Sequence, residues 1–100
     1  NDVPVNFLVD SGATMTTVGR DTAALVGLTV SNRRNQLVRT GNGTIRVAVG
    51  RAGTLAIGDV EKRNVLMHVA DHDDLNVLGM NFLSSLNRWG VEGRWLILEA

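Results

Sequence analysis

The sequence contains no cysteine, no excess of either charge and no long apolar run. Without cysteine, disulfides and thiol chemistry are excluded, and the redox compartment leaves no trace. Ten basic residues balance ten acidic ones. With no long basic stripe, nucleic acid and anionic membrane are poor candidates for a partner. No stretch approaches the roughly 18 to 20 apolar residues of a membrane-spanning helix, and no signal peptide is visible. The chain opens abruptly at Asn1-Asp2-Val3-Pro4 and runs at once into a strand-like segment. That opening reads as a domain excised from a longer protein, so any membrane attachment would come from a segment outside it.

What is present is a globular composition. Of 100 residues, 44% are hydrophobic, too many for a disordered chain. The length suits a single domain spanning residues 1–100. A domain this small buries a modest share of its surface, and oligomerisation is a common remedy. There is no internal repeat, linker or low-complexity segment.

The apolar residues fall in short runs. Val5-Asn6-Phe7-Leu8-Val9 predicts a buried strand entering a tight turn at Asp10-Ser11-Gly12. Thr14 to Val18 is rich in β-branched residues and predicts a second strand. Asp21 is placed to cap a short helix over Ala23 to Val26, stopped by Gly27. Leu28-Thr29-Val30 precedes a polar stretch from Ser31 to Gln36. Gln36 to Thr40 and Thr44 to Val49, joined by Gly41-Asn42-Gly43, carry the signature of a β-hairpin, because Asn-Gly tolerates positive φ. Gly53 to Ile57 and Val60 to Val69 flank a turn at Gly58-Asp59. A polar loop follows from Ala70 to Leu75, then a short strand over Asn76 to Leu78. Asn81 is placed to cap a helix over Phe82 to Leu86, and Arg94 to Glu99 predicts a last strand. Many short strands with turn signals every eight to twelve residues or so predict an all-β fold, a small closed barrel or a sandwich.

Asp10 is the residue with the most chemical promise. A carboxylate at the end of a buried strand is costly unless hydrogen-bonded. Ser11 offers a hydroxyl, and Gly12 permits a turn that aims backbone N–H groups inward. Alone, the triplet is more simply the signature of an Asx turn.

The surrounding residues carry a family resemblance. Phe7-Leu8-Val9-Asp10-Ser11-Gly12-Ala13-Thr14 resembles the active-site strand and loop of the retropepsins, the dimeric aspartic proteases of retroviruses and their cellular relatives. Asn76-Val77-Leu78-Gly79-Met80-Asn81-Phe82-Leu83 resembles the later family motif of two apolar residues and a glycine followed by a helix. The two motifs stand about 70 residues apart, as in that family, and Gly41-Asn42-Gly43 falls where the family has its flap. Val26-Gly27-Leu28, Thr40-Gly41-Asn42-Gly43 and the run from Leu78 to Leu83 are most similar to a bacterial group of retropepsin-like proteases often attached to the inner membrane.

The resemblance implies a small closed acid-protease barrel with a flap hairpin and a short C-terminal helix. It implies an aspartic endopeptidase acting on polypeptides, with Asp10 catalytic and Ser11, Gly12 and Ala13 forming the active-site loop. Gly41, Asn42 and Gly43 would cover the substrate, and Leu78 and Gly79 would support the loop from beneath. No cofactor and no metal are implied, and the location would be periplasmic or at a bacterial inner membrane. Because the chain holds a single Asp-Ser-Gly, the second carboxylate of the catalytic pair would come from Asp10 of a twofold mate. Trp95-Leu96-Ile97-Leu98 is the candidate interface strand, with plain core as its other reading.

Two departures bear on these expectations. Thr14 stands where the retroviral enzymes carry Asp, so substrate contacts made by that Asp do not transfer. The family also commonly has a strand before the one at Val5. The alternative function is a catalytically silent domain of the same fold, used for dimerisation or peptide binding. His68, Asp71, His72, Asp73 and Asp74 resemble a metal cluster in composition, but they fall on a strand running into a loop and lack a water-activating motif such as His-Glu-x-x-His. A solvated polar loop is the simpler reading.

Overall fold

Apolar runs this short, rich in β-branched residues and broken by Gly and Asp, favour strands over helices. The computed structural model describes residues 1–40, 43–70 and 76–100. In chain order the elements are β1 (Leu8–Val9), β2 (Thr17–Gly19), α1 (Arg20–Val26), β3 (Thr29–Thr40), β4 (Gly43–Ile57), β5 (Val60–Ala70), β6 (Val77–Leu78), α2 (Met80–Leu83), β7 (Arg88–Glu92) and β8 (Trp95–Glu99).

Six strands form one sheet in the order β1-β6-β2-β5-β4-β3. Its long side is antiparallel, with β3 on β4 and β4 on β5, the latter in register from Val47 opposite Ala70 to Ile57 opposite Val60. Its short side is threaded differently. β2 lies parallel to β5 and antiparallel to β6, and β1 lies parallel to β6 with Val9 opposite Leu78. That parallel pairing sets the end of β1 beside the start of α2, although the two are far apart in sequence. β7 and β8 form a separate hairpin.

The core follows the period-two alternation of strands. Val65, Met67 and Val69 of β5 are buried with Val18, Ala23 and Ala52. A second cluster gathers Val60, Leu78, Phe82, Leu83 and Leu86, with Trp89 and Leu98 packed against it. Phe7 and Leu55 touch both clusters, which makes them continuous. Burying Phe82 and Leu83 contributes about 1.5–3 kcal/mol each, so α2, with only four residues, is held by packing and not by its own hydrogen bonds.

The all-β expectation holds, and the local differences have physical reasons. Val5 to Val9 yields strand only at Leu8–Val9, and both side chains are exposed. The polar stretch from Ser31 to Gln36 continues β3, which lies at the sheet edge, where polar residues are suited. The arms at Thr44 to Val49 and Gly53 to Ile57 are one continuous strand, since Ala52 remains paired and buried. Strand β2 begins at Thr17 and not at Thr14. α1 is capped at Gly19 without a side-chain bond, and Asp21 lies in its first turn, near the positive end of the helix dipole. Strand β7 was not anticipated, because Arg88 to Glu92 carries little β-branched signal. No helix among the described residues is long and apolar enough to cross a membrane.

On β5, His68 sits between Thr17 and Val49 in the ladder. Partial burial holds its imidazole below the usual pKa of 6.5. The unfolded chain therefore takes up this proton first on acidification, and folding stability is lost as pH falls through the ordinary imidazole range. Above that range His68 is neutral in both states and contributes no pH dependence. Melting temperatures at pH 8 and pH 5 should differ more for the wild type than for His68→Gln. Identical pH profiles would remove His68 from the stability account.

Candidate active site

Asp10 is the first residue after β1. Its strand is fixed on one side by backbone bonds from Leu8 N to Asn76 O at 2.8 Å and from Asp10 N to Leu78 O at 3.0 Å. The chain then turns, with Ala13 N donating to Asp10 O at 3.1 Å. Within the turn, Gly12 N donates to Asp10 Oδ1 at 2.9 Å. A side chain at position 12 would place its Cβ 3.1 Å from that same oxygen. Glycine thus lets an N–H reach the carboxylate without crowding it. The other oxygen, Oδ2, has no hydrogen-bond partner among the described residues, and the side chain is exposed. One oxygen is anchored and the other is open to solvent. Ser11 is exposed beside it, and Ala13 is half-buried.

Beyond the turn the loop is sewn to the segment that leads into α2. Met80 N donates to Ala13 O at 2.8 Å and Asn81 N to Thr14 O at 3.0 Å. These are N–H groups of a helix start, which have no partner within the helix. Gly79 N donates to Thr16 Oγ1 at 3.1 Å, and Thr16 N donates to Asn81 Oδ1 at 2.6 Å. Asn81 Nδ2 donates to Leu66 O at 2.7 Å on β5, and His68 N donates to Thr16 O at 2.9 Å. Thr16 is completely buried, a costly position for a polar residue unless its groups are satisfied. Among the described residues no buried side-chain N or O atom lacks a partner.

Gly79 makes this seam possible. A Cβ there would lie 2.5 Å from the Met15 carbonyl carbon and 2.8 Å from Thr16 N, both backbone atoms. Leu78, with no exposed surface, packs in the core cluster with Phe82 and Leu83, and its carbonyl accepts from Asp10 N.

The structure thus brings Asp10, Ser11, Gly12 and Ala13 together with Leu78 and Gly79. Gly41 and Asn42 of the expected flap lie outside the described residues. Gly43 opens β4 opposite Thr40, with φ of 111°. Asp71, His72, Asp73 and Asp74 also lie outside the described residues, and among those described no cluster of His, Asp or Glu could hold a metal. A cavity of about 370 Å³ lies under the segment from Asn1 to Phe7, reaching Val18, Ala52 and Met67. Its lining does not include Asp10, which is exposed.

Sequence reasoning missed Thr16, Asn76 and the role of Asn81. Asn81 reads as a helix cap, yet α2 starts at Met80 with Gly79 in the cap position. The Asn81 amide instead faces the loop. Asn76 Oδ1 accepts from Gly19 N at 3.2 Å and ties β6 to β2. The signal for the two asparagines was their place in the Asn-Val-Leu-Gly-Met-Asn run, a polar residue on either side of an apolar-Gly step; Thr16, inside a β-branched run, carried none.

Gly79→Ala should destabilise the protein by about 1–3 kcal/mol or more, since backbone must move to admit the methyl. Gly90→Ala, with nothing within 4 Å of the new Cβ, should stay within about 1 kcal/mol of wild type. Chemical denaturation measures both, and equal effects would contradict the tight seam at Gly79.

The family described as "gag-polyprotein putative aspartyl protease" matches residues 1–85. Among solved structures the chain resembles a retropepsin-like aspartic protease from Rickettsia conorii, with a TM-score of 0.70 and 27% identity, over 92% of this chain and 70% of that one. Among curated proteins there is no match. A match that runs from Asn1 through the whole loop-and-helix unit is far more specific than a bare Asp-Ser-Gly, and on it the chain belongs to the gag-polyprotein aspartyl protease family and has the retropepsin-like fold.

Proposed function

We propose that the chain is an aspartic endopeptidase that hydrolyses peptide bonds as a homodimer, with one Asp10 from each subunit. The observation that carries this reading is the state of the Asp10 carboxylate: one oxygen held by Gly12 N, the other open, on a loop braced from beneath. A turn-capping Asp needs its bond to Gly12 but not the bracing.

One carboxylate alone does not perform this chemistry. Peptide hydrolysis of this type needs a base to take a proton from water and an acid to polarise the scissile carbonyl. Two carboxylates close together cannot both ionise cheaply, so such a pair shares one proton and supplies both roles. The pair titrates as a unit. The chain carries a single Asp-Ser-Gly, and the exposure of Asp10 leaves room for a mate. A twofold axis past Oδ2 would bring the two loops face to face and convert an open surface into a cleft. Ser11, exposed next to Asp10, would bond across that axis. The β3–β4 hairpin would then serve as the flap, with Gly41, Asn42 and Gly43 closing over an extended peptide and excluding water.

The β7–β8 hairpin is the proposed interface. Leu98 is packed against the core, while Trp95 is 74% and Val91 65% exposed, and Ile97 is also outward. Strand β8 therefore divides between the two readings of the sequence, with one face in the core and one bare. A second copy of this chain is the occupant that would also complete the site.

Asp10→Asn should fold as the wild type does and lose cleavage of an unstructured protein. Wild-type cleavage should be blocked by a general aspartic protease inhibitor. A wild type that binds peptide but never cleaves it, from acid to neutral pH, would favour the silent domain. Trp95→Ser should shift sedimentation toward monomer and reduce cleavage in parallel. A variant that still sediments as a dimer would move the interface elsewhere.

A further inference from the structure

The Asn81 side chain lies far from Asp10 in sequence and touches no reacting group. It nevertheless joins three parts of the molecule. Its Oδ1 takes the N–H of Thr16 at the end of the Asp10 loop, its Nδ2 gives to Leu66 O on β5, and its own N–H gives to Thr14 O. We infer that Asn81 is a positioning residue for Asp10, acting through Thr16, and that it works because an amide presents one acceptor and one donor in opposite directions. The inference rests on the protease reading for its catalytic part.

The chemistry is selective. The Thr16 N–H demands an acceptor and the Leu66 carbonyl demands a donor. Glutamine would supply both but is one methylene too long for a seam in which Gly79 already meets the Met15 backbone. Serine is too short to bridge. Aspartate has the right shape, but its ionised form presents acceptors at both ends and sets a charge against Leu66 O. Protonated, it again carries a donor. The seam beside it is inflexible: Gly79 N binds Thr16 Oγ1, and His68 N binds Thr16 O. A lost bridge would therefore move the Thr14–Thr16 backbone and, through the turn, the carboxylate. Among the described residues no ionisable side chain is hydrogen-bonded to Asn81; its partners are the backbone of Thr14 and Thr16 on the loop and of Leu66 on β5. His68, whose N–H binds Thr16 O, titrates in wild type and variant alike, so the comparison with wild type isolates the new carboxyl.

The test is Asn81→Asp compared with the wild type from pH 4 to pH 8. Melting temperature should drop by several degrees at neutral pH and recover toward wild type as the new carboxyl is protonated. At neutral pH, kcat should fall on the order of ten- to a hundredfold with KM little changed, and the deficit should shrink on acidification. Asn81→Ala should lose the same activity at every pH without recovery. An Asn81→Asp variant that tracks the wild type in melting temperature across the whole range would overturn the bridge. If the wild type cleaves nothing, the melting profile still decides on the bridge, and the failure belongs to the protease reading. If Asn81→Asp folds at no pH, amide exchange in the wild type decides. Slow exchange of the Asn81 side-chain amide and Thr16 N–H supports the inference, and exchange as fast as in a free asparagine overturns it.

Discussion

The close approach of Gly79 to the Met15–Thr16 backbone is the constraint on which the rest of this structure depends. With no side chain at position 79, two segments far apart in sequence meet at backbone distance. Their N–H and C=O groups then satisfy one another instead of water. Each such bond contributes only about 0.5–1.5 kcal/mol net, but leaving any of them unmade in this buried seam costs more than the bond gains. The seam therefore forms as a whole. It fixes Thr14 and Thr16 from one side while β6 fixes Leu8 and Asp10 from the other. The Asp10–Ala13 turn is suspended between these two anchors.

This arrangement explains why an exposed carboxylate on a short loop can be held in place. β1 has two residues, α2 has four, and Leu8 and Val9 are exposed. None of these elements would persist alone. Their order comes from Phe82, Leu83 and Leu78, which anchor the start of α2 in the second core cluster, and from β5, whose Leu66 and His68 meet Asn81 and Thr16. Packing positions the helix start, the helix start positions the loop, and the loop positions the carboxylate. On a single subunit the carboxylate itself remains exposed. The open Oδ2 of Asp10 and the bare face of β8 are both surfaces that a second copy would cover.

Much of this was legible in the residues, and the reasons for the rest are specific. Asp10-Ser11-Gly12 and Leu78-Gly79 stood out because each carries chemistry or a steric demand in its own side chains. The turn at Gly58-Asp59 was legible for the same reason. The parallel pairing of β1 with β6 was not, since it depends on a meeting between distant segments that no local pattern encodes. Asn81 was misread as a cap because its local surroundings suit a cap. Only the tertiary approach of Thr16 and Leu66 reveals that its amide is used elsewhere. Burial of Val5 to Val9 was overestimated because an apolar run reads as core even where part of it faces outward.

The central claim is that two subunits each bring one braced Asp10 to a shared site. Subunit mixing tests it most directly. Wild-type chains and Asp10→Asn chains are unfolded together in equal amounts, refolded, and assayed at constant total protein. If each site needs one carboxylate from each of two subunits, only wild-type pairs cleave, and about a quarter of the wild-type activity remains. A remaining activity of about a half would mean that each chain works with its own Asp10 alone, and would contradict the account.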